Sequence, residues 1–208
     1  NLPNFTYFNV PGNDNDQDKT NQRVVVFREV KYVIFADDFE GEDKGWTSGK
    51  VQFGTSDWEV RSITASSGAN SMDSGYRNSN PTPSDTYVST PALDLGLPVE
   101  ADLQMKISYY AYFTYDGYQA QISEDGGSTW TMIAPEGGYP RSLSTYSYYG
   151  NPLRGQPGYT YYGSSTGFTS APDGNSYIDV KFNLDAYTGQ DDIKFRWVAG
   201  WGTLNKNY

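Results

Sequence analysis

Leu103-Gln104-Met105-Lys106-Ile107-Ser108-Tyr109-Tyr110-Ala111-Tyr112-Phe113 is the stretch that decides the fold. Leu103, Met105, Ile107, Tyr109, Ala111 and Phe113 fall on one face, and the other face is polar until Tyr110 and Tyr112. Successive side chains of a strand point to opposite sides. Alternation sustained over the whole run therefore predicts a half-buried antiparallel strand across 103–113.

The same pattern recurs on both sides of it. Asp116-Gly117 turns the chain, and Tyr118, Ala120 and Ile122 alternate before Asp125-Gly126-Gly127 returns it into Trp130 and Met132. Further on, Ile178, Val180, Phe182 and Leu184 alternate with Asp179, Lys181 and Asn183, and Ile193, Phe195 and Trp197 alternate with Lys194 and Arg196. Residues 185–189 between them read as one helical turn or a tight loop. Upstream, residues 24–27, 32–35, 51–53, 58–63 and 87–88 read as shorter strands, and the Asn/Ser/Pro-rich stretch 66–84 reads as a long exposed loop. Many short strands, close turn signals and no helical period predict an all-β antiparallel sandwich of the jelly-roll kind. No internal repeat is present.

Composition narrows the chemistry. The 208 residues contain no Cys and no His, which removes thiol nucleophiles, disulfides, Ser–His dyads and the common zinc sites together. A net charge of −10 argues against a nucleic-acid partner, because phosphate binding needs clustered Lys and Arg. The same acidity offers oxygen ligands to a hard cation such as Ca²⁺. No apolar stretch is long enough to span a membrane. The start, Asn1-Leu2-Pro3, has neither an initiator Met nor the look of a signal peptide, so a mature or excised portion of a longer chain is expected. Catalysis by two carboxylates survives these exclusions, but 25 acids offer no reason to choose a pair.

Four groups of residues are candidates for function. Asp14, Asp16 and Asp18 alternate in a polar segment and read either as a solvated linker or as a calcium loop; the EF-hand positions for Gly and Glu hold Lys19 and Val25. Asp38, Glu40, Asp73 and Asp116 lie beside strand ends and Gly-rich turns, where they serve as solvated acids or as a calcium site. Tyr146, Tyr148, Tyr149, Tyr159, Tyr161 and Tyr162 crowd a Tyr-rich stretch, 139–170, with no strand or helix period. These rings either stack on sugars or a protein partner, or fold back as a cover for the sheet. Ser123-Glu124-Asp125-Gly126-Gly127-Ser128-Thr129-Trp130 matches the Asp-box pattern and is similar to the boxes of sialidases and related β-propellers. A propeller needs a copy per blade, so this copy reads as a folding device: Asp125 accepts turn N–H groups, Gly127 permits positive φ, and Trp130 plugs the turn.

Read together, a larger set of residues resembles a known family. Asp38-Phe39-Glu40-Gly41 with Gly45-Trp46, then Trp58, then Ser89-Thr90-Pro91-Ala92-Leu93-Asp94-Leu95 looks like the opening half of a MAM-like jelly-roll domain. Tyr115-Asp116-Gly117, the Asp-box, Phe182-Asn183-Leu184-Asp185-Ala186-Tyr187-Thr188-Gly189 and Ile193-Lys194-Phe195-Arg196-Trp197 supply the second half. The set is similar to accessory domains of secreted microbial peptidases of the immune-inhibitor-A type, of some subtilases and of large cell-surface proteins. The resemblance implies a concanavalin-like sandwich beside, not within, a catalytic domain, with structural calcium on Glu40, Asp73 and Asp116. Cysteines of the animal members and a His-Glu-x-x-His signature are absent, so any peptidase activity would have to reside in another part of a parent protein.

The expected organisation is an N-terminal extension of one or two strands, 1–36, followed by a sandwich, 37–208, with the Tyr-rich insertion 139–170. The expected role is a non-catalytic module, extracellular or at the cell surface, that binds glycan or polypeptide or braces a neighbouring protease domain. A structural assembly module of a surface layer or filament and a carboxylate-based carbohydrate enzyme are the alternatives.

Overall fold

Alternation along the chain becomes a set of antiparallel ladders. The computed structural model describes residues 6–9, 23–26, 33–56, 58–62, 65–75, 83–98, 100–109, 111, 114–145, 150–160 and 177–202. The chain divides into two units, 1–33 and 34–208. The first contains β1 (Thr6–Asn9) and β2 (Arg23–Val26), paired antiparallel from Thr6 opposite Val26 to Asn9 opposite Arg23.

The second unit contains β3 (Thr47–Lys50), β4 (Glu59–Arg61), β5 (Ser71–Asp73), β6 (Ser84–Ser89), β7 (Asp102–Ile107), β8 (Gly117–Ser123), β9 (Thr131–Met132), β10 (Arg141–Ser142), β11 (Pro157–Gly158), β12 (Ile178–Asn183) and β13 (Lys194–Trp201). Five of these form one sheet in the order β3-β6-β13-β8-β9, and β12-β7, β4-β5 and β10-β11 form two-stranded pieces. In the large sheet Trp197 sits opposite both Val88 and Ala120. The core lies between the inner face of that sheet, with Ala120, Ile122 and Phe195, and the β7–β12 ribbon, with Val180 and Phe182. This is the all-β sandwich that the alternation predicts. A 3₁₀ turn, Asp185–Tyr187, joins β12 to the approach of β13.

Several local expectations change. β7 ends at Ile107 rather than 113, because its partner begins at Ile178, which stands opposite Ile107, and there the ladder ends. Tyr109 and Ala111 remain buried beyond it, so the apolar face persists without the strand. Residues 33–35 and 51–53 are not strands. At the second of these the Asp85 carboxylate accepts the N–H groups of Gln52 and Phe53, a side-chain bond that replaces a ladder. The stretch 66–84, expected as loop, holds β5, which pairs with β4.

The outer face of the large sheet is also covered. Arg196, expected on a wet face, is buried: its guanidinium lies 4.1 Å from the Trp130 ring centroid and 4.9 Å from that of Tyr87, and it donates to Gln121. Beside it Leu143, Leu153 and Val198 form a second small core. Asn151 donates to the carbonyls of Tyr115 and Gly200. Gly200 makes this approach possible, since a Cβ there would stand 2.6 Å from Asn151 Oδ1 and 2.8 Å from Leu153.

Candidate functional site

The Asp37-Asp38-Phe39-Glu40 stretch builds the mouth of a cleft. Asp37 Oδ1 accepts the Phe39 N–H at 2.9 Å, and Asp38 Oδ1 accepts the Glu40 N–H at 3.2 Å, so two successive side chains fold the backbone into a tight turn. Phe39 takes φ +64°, a left-handed conformation that costs energy for a side chain of this size. The other Asp37 oxygen accepts the Trp46 indole N–H at 2.7 Å. Trp46 is packed edge-on against Phe35, with centroids 5.5 Å apart.

Behind this turn lies a cavity of about 980 Å³, and a second of about 320 Å³ shares Asp37, Phe39, Trp46, Trp58, Met72 and Val88 with it. The floor of the larger one is apolar, with Val88, Met105, Val180 and Trp197; its rim carries Asp38, Asp73 and Asn70 on one side and Gln104, Lys106 and Lys181 on the other. Trp197 Nε1 lies 2.8 Å from Met105 Sδ and so ties the large sheet to β7 across the floor. Lys106 is paired with Asp179 at 2.6 Å, and Lys181 with Asp102 and Glu136 at 3.2 and 3.1 Å. The hydrogen bonds that Lys181 donates to Glu136 and Asp102 hold its ammonium above its ordinary pKa. Trp58 Nε1 and Ser108 Oγ are buried on the cleft wall with no hydrogen-bond partner among the described residues. A concave apolar volume with a few convergent polar groups is the usual form of a binding site.

The sequence-predicted acids divide over this geometry. Asp38 and Asp73 both line the cleft. Glu40 instead clasps the loop before β5: its Oε1 accepts the N–H groups of Ala69 and Asn70 at 2.8 and 2.7 Å, and its Oε2 the Asn70 amide. Gly68, at φ +67°, leaves room for that carboxylate, because a Cβ there would stand 2.5 Å from Oε1. Asp73 Oδ1 accepts the Gly75 N–H at 2.6 Å and lies 3.8 Å from Arg61. Asp116 is buried, and its Oδ1 accepts the Gly202 N–H at 2.8 Å. Among the described residues no three acids gather where one cation could reach them all, and Glu40 already has its lone pairs directed at amides. Asp14, Asp16 and Asp18 lie outside the described residues.

Of the six tyrosines assigned to a recognition surface, Tyr146, Tyr148, Tyr149, Tyr161 and Tyr162 lie outside the described residues. Tyr159 is not at the surface. It is 6 % exposed, with its ring 5.3 Å from those of Tyr109 and Tyr139 and 5.8 Å from that of Trp197, and burial first, then the neighbouring Tyr109, pushes its phenol up to about 12. It belongs to the central core, while Leu143, Asn151 and Leu153 make another described part of the Tyr-rich insertion a cover for the outer face of the sheet.

The Asp-box lies in the β8–β9 hairpin. Asp125 Oδ1 accepts from the Ser123 hydroxyl and the Thr129 N–H, both at 2.8 Å, and Oδ2 from the Thr129 hydroxyl at 2.7 Å. These bonds, the Thr129 hydroxyl first, hold the carboxyl down at about 2. Gly127 has φ +101°, and its carbonyl accepts the Trp130 indole N–H.

The chain lacks the Cys and His of thiol and imidazole catalysis, and its described acids make no three-membered cluster. The carboxyls of Asp125 and Asp185 are both shifted down, opposite to what a general acid needs. Sequence reasoning missed Asp37, Trp46 and Trp58 as the builders of the cleft. The signal was present in a double Asp followed by two isolated Trp residues.

No family model matches the chain, and no curated protein does. A solved structure similar to it is the K2 cleaved adhesin domain of Lys-gingipain, at 16 % identity and a TM-score of 0.43, covering 81 % of this chain and 94 % of that one.

Proposed function

We propose that the chain is a non-catalytic recognition module of a larger secreted or cell-surface polypeptide and that its partner seats in the cleft behind Asp37 and Trp46. The observation that carries this reading is the cleft itself. A sandwich core normally closes to crystal-like density, whereas here about 980 Å³ stays open beside a strained Phe39 and two unpaired buried donors. The acid-rich composition and the resemblance to peptidase-associated jelly rolls support an extracellular setting, with catalysis supplied by another domain of the parent.

The test compares wild type, Trp58→Ala and Tyr148→Ala on a glycan array and a peptide array. Trp58 walls both cavities. Trp58→Ala is expected to weaken whatever binding the wild type shows by about tenfold or more, equivalent to ~1.4 kcal/mol, while Tyr148→Ala leaves it intact. Binding lost only in Tyr148→Ala would move the site to the Tyr-rich segment. No binding on either array would refute the recognition role.

A further inference from the structure

We infer that the cleft takes an extended polypeptide, added as a strand between β5 and β7. This rests on the reading of the cleft as the recognition site and specifies its occupant. The decisive feature is which residues line it. Alternate residues of a strand face opposite sides, so a cavity against one face of β7 would meet every second residue. Residues 103–109 line the cleft without a gap, and so do residues 70–74. The cavity therefore runs along the strands' edges, where the backbone N–H and C=O groups are, and not over one face alone.

Those edges have room for a partner. β7 pairs with β12 on one side, and among the described residues nothing pairs with its other side. Among the described residues β5 is laddered only with β4 and is not hydrogen-bonded to β7. By contrast the far edge of β12 is engaged, since the Glu136 N–H donates to the Lys181 carbonyl at 2.7 Å. One strand laid in the cleft would join β12-β7 to β5-β4 and give five strands facing the five of the large sheet. Main-chain hydrogen bonds then supply affinity and alternate side-chain pockets supply register.

The lining defines the occupant's chemistry. Its inward residues meet Val88, Met105 and Trp197 and must be apolar. Its outward residues meet a rim carrying four acids (Asp37, Asp38, Asp73, Asp179) against two bases (Lys106, Lys181), a balance of −2, and both bases are already paired with acids. An alternating segment with Lys or Arg outward fits.

The experiment uses the full 208-residue chain and a synthetic octapeptide library that alternates Val, Ile or Leu with Lys, Thr or Ser. The same library N-methylated at every second residue serves as control. Amide exchange is followed residue by residue by NMR. The parent library should raise protection of alternate amides across 103–108 and 70–74 by about tenfold or more, and the N-methylated one should not. Equal effects of both libraries would show apolar binding without a ladder and overturn the inference. So would an absence of any response to either library, or nuclear Overhauser contacts in the free protein that pair β7's open edge with another part of the chain. Protection given by an oligosaccharide from the glycan array, with none from peptides, would overturn the strand but leave the cleft as the recognition site.

Discussion

Asp125 accepts three hydrogen bonds from a turn of which it is itself a member, and that locality has a measurable consequence. Its carboxyl ionises at about 2 rather than 3.8, so its share of stability is fully present above pH 3.8 and disappears as pH falls through about 2. Asp125→Ala is expected to lower Tm at neutral pH and to flatten the acid limb of the Tm–pH curve between these values. An Asp125 titration midpoint near 4 by NMR would contradict it. The Asp-box could be read from the sequence because all its partners lie within four residues. Glu40 could not, since it grips amides 29 and 30 positions away and nothing local announces that grip. Arg196 was misread for the same reason: it lies on the polar phase of a clean alternation, and only the arrival of Trp130 and Tyr87 over the sheet buries it.

Among the elements, the cover over the large sheet separates a structural role for the insertion from a binding one. Leu153 is 5 % exposed and packs with Leu143 and Val198. Leu153→Ala should cost about 2–5 kcal/mol in urea denaturation, and a loss under about 0.5 kcal/mol, as at an ordinary surface site, would mean the cover is loosely held. Strand alternation identified β8, β12 and β13 because each has one face on the central core. It overextended β7, where the apolar period runs on past the residue at which hydrogen bonding stops. It also missed β5, whose Ser-Met-Asp sequence has no apolar alternation and is a strand only through β4. The cover was legible as one of two alternatives, and the short apolar residues Leu143 and Leu153, rather than the tyrosines that drew attention, perform most of it.

For the molecule as a whole, the question that composition raised is whether an acidic chain of this kind depends on calcium. Glu40 is fixed by amides and Asp73 by Gly75 and Arg61, so neither needs a cation to hold its place. Tm in excess EDTA is therefore expected to equal Tm in millimolar CaCl₂. A fall of several degrees on chelation would establish a site and restore the reading in which these acids are ligands, because only a cation that binds the native state raises its apparent stability. The all-β sandwich class followed from periodicity, and the lack of His and Cys limited the chemistry. The cleft was not readable, since a cavity is defined by which faces fail to meet, and that depends on how β5 and β7 are held apart and not on either sequence alone.

Tyr139, finally, donates its hydroxyl to the Ile133 carbonyl and accepts the Ala120 N–H, while its ring meets Tyr159, which in turn meets Tyr109 and Trp197. Burial pushes all three phenols upward. Rings held in fixed asymmetric contact absorb circularly polarised light unequally, so this chain of four carries a near-ultraviolet signature of its own. Since Tyr139 and Tyr159 belong to the insertion, and Tyr109 and Trp197 to β7's extension and β13, the signal reports whether the insertion is seated on the core. The protein thus contains an optical gauge of its own closure, readable without any label.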